Sequence, residues 1–420
     1  MWQMLAVGSG LALAIAFTLF SIVSTKEGER RAARIFGVAG VASVALLIAA
    51  PLFIPVAAPI FLGVLGIGVT VGALRCVLPL RRPITDGGKA SRRVDERDIM
   101  FARKRLRPGT PEFDTYYEMR PENLAGDNQT RSLPGLLSLD AEKAEPVAFA
   151  AADACFRVTE ALRNSVDDDV SATRRDRGPE EWTACFKELA LRWGALDVGV
   201  AKLEAEHIYT HIGRGTGVWG SEISLDHGWA IAFTVEMDHR EVSQAPEAPV
   251  VAESARQYVE SAKIAVQLAS VIRDQGWPAR AHIDGNYRVI APLVARAAGL
   301  GEIGRMGLLM TPKLGPRVRI GVVTTDCPLV PDPPGNDTTV LDFCSICRKC
   351  ATNCPVGAIP DGERAIEPNG RRWIINDETC FRIWNVVGTD CAICMKVCPY
   401  SHPDNWMHTL VRKAIRFSPG

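Results

Sequence analysis

No sign of charge predominates in this chain: 48 lysines and arginines face 48 aspartates and glutamates over 420 residues. Holding a phosphate backbone needs a basic face, so nothing here points to a nucleic acid as partner. A helix is missing after Gly215-Thr-Gly-Val-Trp-Gly220, the match to GxGxxG. Ser221 to Val235 reads as strand, which leaves no helix N-terminus for a pyrophosphate, and the motif is read as a glycine loop. No internal repeat is found apart from two cysteine runs near the C-terminus. Charge is also missing locally, from Leu5 to Val23 and again from Ile35 to Leu74.

The second uncharged stretch is about twice as long as one bilayer crossing needs, and Pro51, Pro55 and Pro59 fall in its middle. The expectation is three transmembrane helices, at about 4 to 24, 35 to 54 and 57 to 76. A cleaved signal peptide would account for the first but not for the next two. Lys26, Arg30, Arg31 and Arg34 in the first loop, and Arg75, Arg81, Arg82, Lys89, Arg92 and Arg93 after the third helix, keep those segments inside. The chain is thus expected to be a multi-pass protein of the cytoplasmic (inner) membrane with the lipid bilayer as partner. Everything after Arg81 would face the cytoplasm, where thiols stay reduced.

The cysteine runs are Cys344-x2-Cys347-x2-Cys350-x3-Cys354-Pro355 and Cys391-x2-Cys394-x3-Cys398-Pro399. Three closely spaced thiolates converge on one cubane, while the cysteine of a following Cys-Pro turns to the other cluster. The second run lacks one near ligand, and Cys380 replaces it. One 4Fe-4S cluster is therefore assigned to Cys344, Cys347, Cys350 and Cys398, the other to Cys380, Cys391, Cys394 and Cys354. The competing readings are disulfides and zinc, and zinc would leave the extra cysteines and both Cys-Pro pairs unused. Cys76, Cys155, Cys185 and Cys327 are isolated and read as buried small hydrophobes.

Four segments follow from composition. Residues 1–82 form the anchor and 83–146 an extended arm packed on the next domain, since Phe101, Phe113, Tyr116 and Tyr117 are costly to leave in water. Residues 147–340 are a catalytic domain of mixed pattern, with helices at Ala148 to Leu162, Pro179 to Trp193 and Val251 to Arg273 and strands at Ala230 to Val235 and Arg319 to Thr325. Residues 341–420 are the double-cluster module. The fold class is α+β.

Glu206 to Arg214, Ala298-Gly-Leu-Gly-Glu-Ile-Gly-Arg305, Leu308 to Arg319, Val323 to Leu329 and Cys380-Phe-Arg-Ile-Trp384, together with the paired cysteine runs, resemble the reductive dehalogenases. So does the arm, with Pro108-Gly-Thr and Tyr116-Tyr117-x2-Arg120-Pro121. Epoxyqueuosine reductase is a more distant likeness. The resemblance implies a nitroreductase-like α/β domain around a corrinoid (cobalamin), a ferredoxin-like module, a small organohalide substrate and an external electron donor, whether ferredoxin, flavodoxin or a membrane carrier. There is no Asp-x-His-x-x-Gly to offer cobalt a histidine. Gly299, Gly301, Gly304, Gly315 and Gly321 are the places where backbone could approach a bulky ring. The family's proton-donating tyrosine is carried to Tyr258, one helical turn after Ser254 on the same face. Arg317 is chosen as its cationic partner and Asn286 as a polar contact, with Arg319 and Tyr209 as substitutes. The alternatives are an epoxyqueuosine-type reductase and an iron-sulfur electron carrier without catalysis.

Overall fold

Both uncharged N-terminal stretches begin as helices, α1 (Trp2–Lys26) and α2 (Arg30–Phe53). Phe17 and Phe20 meet Phe36 at 6.2 and 5.2 Å between ring centroids, and Ser21 Oγ donates to the Ala33 carbonyl at 2.9 Å. This computed structural model describes residues 2–26, 30–53, 93–334, 339–367 and 370–402. Its contacts divide the chain into two compact units, Met1–Arg82 with Trp406–Gly420, and Pro83–Asn405.

The expectation of membrane-spanning helices, and with it the multi-pass place in the inner membrane, is corrected here. Among the described residues no helix is long and apolar enough to cross a membrane. Freedom from charge is not the same as apolarity. The hydroxyls of Thr18, Thr25 and Ser43 bond back onto the carbonyl four residues earlier. The third expected span, 57–76, lies outside the described residues.

In the second unit the chain runs through short helices α3 (Met100–Arg103), α4 (Pro111–Met119) and α5 (Leu124–Arg131), then α6 (Pro146–Ala161) and α7 (Pro179–Arg192). Strands β1 (Asp197–Lys202), β2 (Trp229–Glu236) and β3 (Ala279–His282) follow, with the long helix α8 (Ala248–Asp274) between the last two. After α9 (Ala291–Ala297) come the small hairpin β4 (Glu302–Ile303) and β5 (Leu309–Met310) and strand β6 (Val318–Thr325). The main sheet has the order β1-β2-β6-β3, every pair antiparallel.

Alternation along β2 sets the layers. Ile231, Phe233 and Val235 face one way, into a core built with Trp182 and Phe186 of α7 and Ile264, Leu268 and Ile272 of α8. Ala230 and Ala232 face the other way, against Val294 and Ala295 of α9. The four-residue spacing of the α8 contacts keeps one stripe of that helix on the sheet, while Val251 and Ala255 reach Phe149 and Ala152 of α6. The second unit is thus a mixed α/β fold with helices on both faces of an antiparallel sheet.

The arm is tied down by polar contacts rather than extended throughout. The Glu96 carboxylate is fully buried and accepts from the backbone of Gly213 and Arg214 at 2.9 and 3.2 Å. Arg103 forks onto Asp127 at 3.0 and 2.9 Å and reaches Glu378 at 2.8 Å. The dicluster tail begins with α10 (Thr339–Cys347) and α11 (Lys349–Thr352), and continues through α12 (Asp377–Val387) and α13 (Ile393–Lys396). Backbone pairing of Gly135, Leu137, Glu142 and Lys143 with the end of α12 joins arm and tail.

A polar chain crosses the sheet. Arg288 N–H donates to His282 Nδ1 at 3.1 Å, so Nε2 carries the proton and donates to Thr324 Oγ1 at 2.9 Å. The Thr324 hydroxyl then donates to His227 Nδ1 at 2.8 Å. Burial holds both histidines below their usual range, His282 well below it, helped by the Arg280 charge. Unfolding lets them take up protons that the native state refuses, so stability is present above the unfolded histidine pKa of about 6.5 and is lost as pH falls below it. The thermal midpoint is expected to drop between pH 7.5 and 5.5, and to drop less in His282→Gln. An equal drop in both proteins would remove His282 as the cause.

Candidate functional site

Tyr258 sits in the middle of α8 with the Arg319 guanidinium 4.9 Å from its ring centroid. Arg319, from β6, donates through Nη2 to Ser254 Oγ at 2.6 Å and to Asp390 Oδ2 at 3.1 Å. Ser254 Oγ in turn donates to the same Asp390 oxygen. Ser254 and Tyr258 share a helix face, so one turn of α8 supplies both the hydroxyl that fixes the guanidinium and the ring beneath it.

Arg214, Asp284 and Tyr287 act electrostatically on this pair, and Tyr209 acts on Arg214. Tyr209, Arg214, Tyr258, Tyr287 and Arg319 each keep part of their surface open, yet desolvation is the largest influence on the ionisation of every one. These side chains are strongly desolvated without being fully enclosed. Burial raises the phenols, Tyr209 to about 12 and Tyr287 well above the usual range. It raises Tyr258 too, against the opposing pull of Arg319. Burial presses Arg319 down, but the facing Tyr258 and Asp390 outweigh it and the guanidinium stays firmly charged.

Two choices made from sequence are corrected by this geometry. Arg317 does not serve Tyr258: its Nε donates to the Ser401 carbonyl at 2.8 Å, and its Nη1 to Glu236 at 2.7 Å and to the Met237 carbonyl. It fastens the tail to the end of β2, and Arg319 takes the place over the ring. Asn286 is fully buried and accepts from Arg280 at 3.2 Å and from Thr216 N–H at 3.3 Å, while donating to the Arg163 carbonyl. It pins the Gly215 loop, where a Cβ would overlap it.

The nominated glycines also have protein occupants. A Cβ on Gly301 would overlap the Met310 carbonyl, on Gly304 the Met310 side chain, on Gly315 the Tyr400 side chain and on Gly321 the Phe233 ring. Gly299 adopts a left-handed turn that ends α9. Close packing of protein on protein, not room for a ring, accounts for the first four. Arg319 Nε and Asp390 Oδ1, beside Tyr258, are buried without a hydrogen-bond partner among the described residues, which leaves polar capacity there for a bound group.

In the tail, Cys344, Cys347 and Cys350 face one another and Cys398 faces all three. Cys380 faces Cys391 and Cys354, Cys391 faces Cys354, and Cys394 faces Cys380 and Cys391. Cys394 also senses Cys350, so the two quartets are neighbours. Burial and the adjoining thiols push Cys344 and Cys380 up to about 12. Among the described residues no three such side chains close on a single-ion site, and a cubane spreads its sulfurs wider than the roughly 2.3 Å shell of one zinc. The donor set, eight thiols in two fours, fits two clusters.

Residues 343–402 match the 4Fe-4S dicluster domain family. The tetrachloroethene reductive dehalogenase of Desulfitobacterium hafniense is 35% identical over 197 residues, covering 44% of this chain and 35% of that one. Over that stretch the chain is similar to the reductive dehalogenases. It spans about a third of the length of the curated relatives it matches. Among solved structures, the catabolic reductive dehalogenase NpRdhA in complex with 3-bromo-4-hydroxybenzoic acid superposes with a TM-score of 0.64 at 24% identity, over 81% of this chain and 46% of that one. A second, titled for a mechanism of B12-dependent dehalogenation, gives 0.62 at 23%, over 80% and 45%. These likenesses establish the shared fold. The epoxyqueuosine reductase of Listeria monocytogenes is a more distant relative, 32% identical over 114 residues, 26% of this chain and 28% of that one.

Sequence reasoning about this dehalogenase-like chain passed over Asp390 and Arg305. Asp390 precedes Cys391 and carried no signal of its own. Arg305 closes the Ala298-to-Arg305 segment, and a charged residue ending a glycine-rich run was the available clue.

Proposed function

We propose that the chain is a corrinoid- and iron-sulfur-dependent reductive dehalogenase acting on a small organohalide, with electrons from an external donor of the ferredoxin, flavodoxin or membrane-carrier kind. The observation that carries this reading is Tyr258 beneath the Arg319 guanidinium, which is joined through Asp390 to the cysteine tail. Cys344, Cys347, Cys350 and Cys398 would hold one 4Fe-4S cluster, and Cys380, Cys391, Cys394 and Cys354 the other. A reduced corrinoid, when bound, would supply the low-valent cobalt that breaks the carbon-halogen bond.

Tyr258 holds a proton at Oη. Burial keeps the phenol neutral, and the Arg319 charge offsets the cost of the phenolate left when that proton passes to carbon. Two electrons and one proton then replace carbon-halogen by carbon-hydrogen and release halide.

The test is metal content and halide release of anaerobically reconstituted protein, with tetrachloroethene and 3-bromo-4-hydroxybenzoic acid as probes and a strong chemical reductant. About one cobalt and eight irons per chain, with halide released from either probe, are expected. Iron without cobalt and without halide would leave an electron carrier and overturn the proposal.

A further inference from the structure

Three segments far apart in sequence meet at one carboxylate. Ser254 lies on α8, Arg319 on β6, and Asp390 on the loop that turns into Cys391. Asp390 and Ser254 are almost fully buried, at 8% and 2% exposure, so their hydrogen bonds do not compete with bulk water. The loop is held from both sides. Thr389 Oγ1 donates to the Pro246 carbonyl at 2.8 Å and accepts from the Cys391 amide at 3.2 Å, and Cys391 and Ala392 are both left-handed. The position of Asp390 is therefore set by the fold of the cysteine loop, and the position of Arg319 is set by Asp390.

We propose that Asp390 and Ser254 are positioning residues that clamp the Arg319 guanidinium over the Tyr258 ring, so that the phenol senses this cation only while the loop leading into Cys391 is in place. The clamp makes the proton-donating end of the site conditional on an assembled cysteine tail. This rests on reading Tyr258 as the proton donor, yet it can be examined without turnover. The charged and titratable groups facing Tyr258 are Arg319, Asp284, Asp390, Arg214 and Tyr287, and the two carboxylates among them oppose ionisation of the phenol.

That opposition gives the test its sign. If Asp390 acted on Tyr258 by charge alone, its removal would ease ionisation and lower the phenol's titration midpoint. If it acts by holding Arg319, its removal frees the guanidinium and raises the midpoint. The experiment places 3,5-difluorotyrosine at position 258 of the reconstituted full chain, whose phenol ionises nearer neutrality, and follows the phenolate by fluorine NMR. Ser254→Ala and Asp390→Ala are each expected to raise the midpoint by about half a pH unit or more. In an Arg319→Gln background Ser254→Ala is expected to add no further shift, and Asp390→Ala no further rise, only the fall that loss of its own charge brings.

No change in Ser254→Ala, a fall in Asp390→Ala, or full additivity with Arg319→Gln would each overturn the clamp. Iron content is measured alongside. Should Asp390→Ala lose iron, Ser254→Ala decides alone, because Ser254 lies on a helix that carries no cysteine ligand. Halide release is assayed separately, so a protein with the expected shifts and no dehalogenation would overturn the proposed function and leave the clamp standing.

Discussion

Tyr258→Phe is expected to lower halide release by roughly two to four orders of magnitude, with iron content and thermal midpoint as in the parent protein. The substitution removes one hydroxyl and little else. The ring remains 6.3 Å from Phe156 and beneath Arg319, and phenylalanine offers a guanidinium much the same face. What is lost is the proton at Oη. Because burial holds this phenol above its ordinary value of about 10, the donor stays protonated through neutral and mildly alkaline solution. The pH profile of the parent should therefore show no alkaline fall from Tyr258 below about pH 10. An unimpaired Tyr258→Phe would move the donor role elsewhere, to Tyr209 or Tyr287, and would sink the assignment made here.

The elements around this site were legible because each is a long, patterned run. Ala230 to Val235 and Arg319 to Thr325 are dense in β-branched and small apolar residues and became β2 and β6, while the three-to-four spacing from Val251 to Arg273 became α8. Likeness to the reductive dehalogenases was legible for a different reason, since it summed several weak segments. The choice between Arg317 and Arg319 was not legible. Both lie at the start of one strand, two residues apart, and only the partners brought in from β2 and the tail distinguish them. The glycines misled in the same way. A glycine announces that something comes close, but Phe233 over Gly321 and Tyr400 against Gly315 are partners from 88 and 85 residues away in order along the chain, beyond the reach of any local motif. At the N-terminus the lack of charge predicts membrane spans, whereas among the described residues no helix is long and apolar enough to cross a membrane.

Arg305→Ala is expected to cost the protein about half its iron, from about eight atoms per chain to about four, with the loss falling on the Cys344 quartet. Arg305 is among the most deeply buried charged side chains, at 1% exposure. It comes from the turn between β4 and β5 and crosses into the tail. Nε donates to the Cys344 carbonyl at 2.9 Å, Nη1 to the carbonyls of Pro360 and Gly362 at 2.8 Å each, and Nη2 to that of Ser345 at 3.4 Å. The guanidinium also stacks 4.7 Å from the Trp373 ring. One planar fork thus joins two chain segments that have few other reasons to stay together. Removing it takes one donor from each of these carbonyls, of which Gly362 keeps Trp373 Nε1 at 3.1 Å and Ser345 keeps Arg348 Nε at 3.4 Å, so a cost of about 1–3 kcal/mol applies only to a carbonyl left unpaired. It also withdraws the positive charge that faces Cys344 and Cys350, where four thiolates must be held close. Arg305→Lys separates the two contributions. Lysine keeps the charge but as a single compact head, able to satisfy only part of the carbonyl set. Iron analysis and the electron paramagnetic resonance of the reduced clusters should place Arg305→Lys between the parent and Arg305→Ala. Full restoration by lysine would mean that charge alone holds the first quartet. Unchanged iron in Arg305→Ala would mean that the fork is dispensable and that the cysteine spacing suffices.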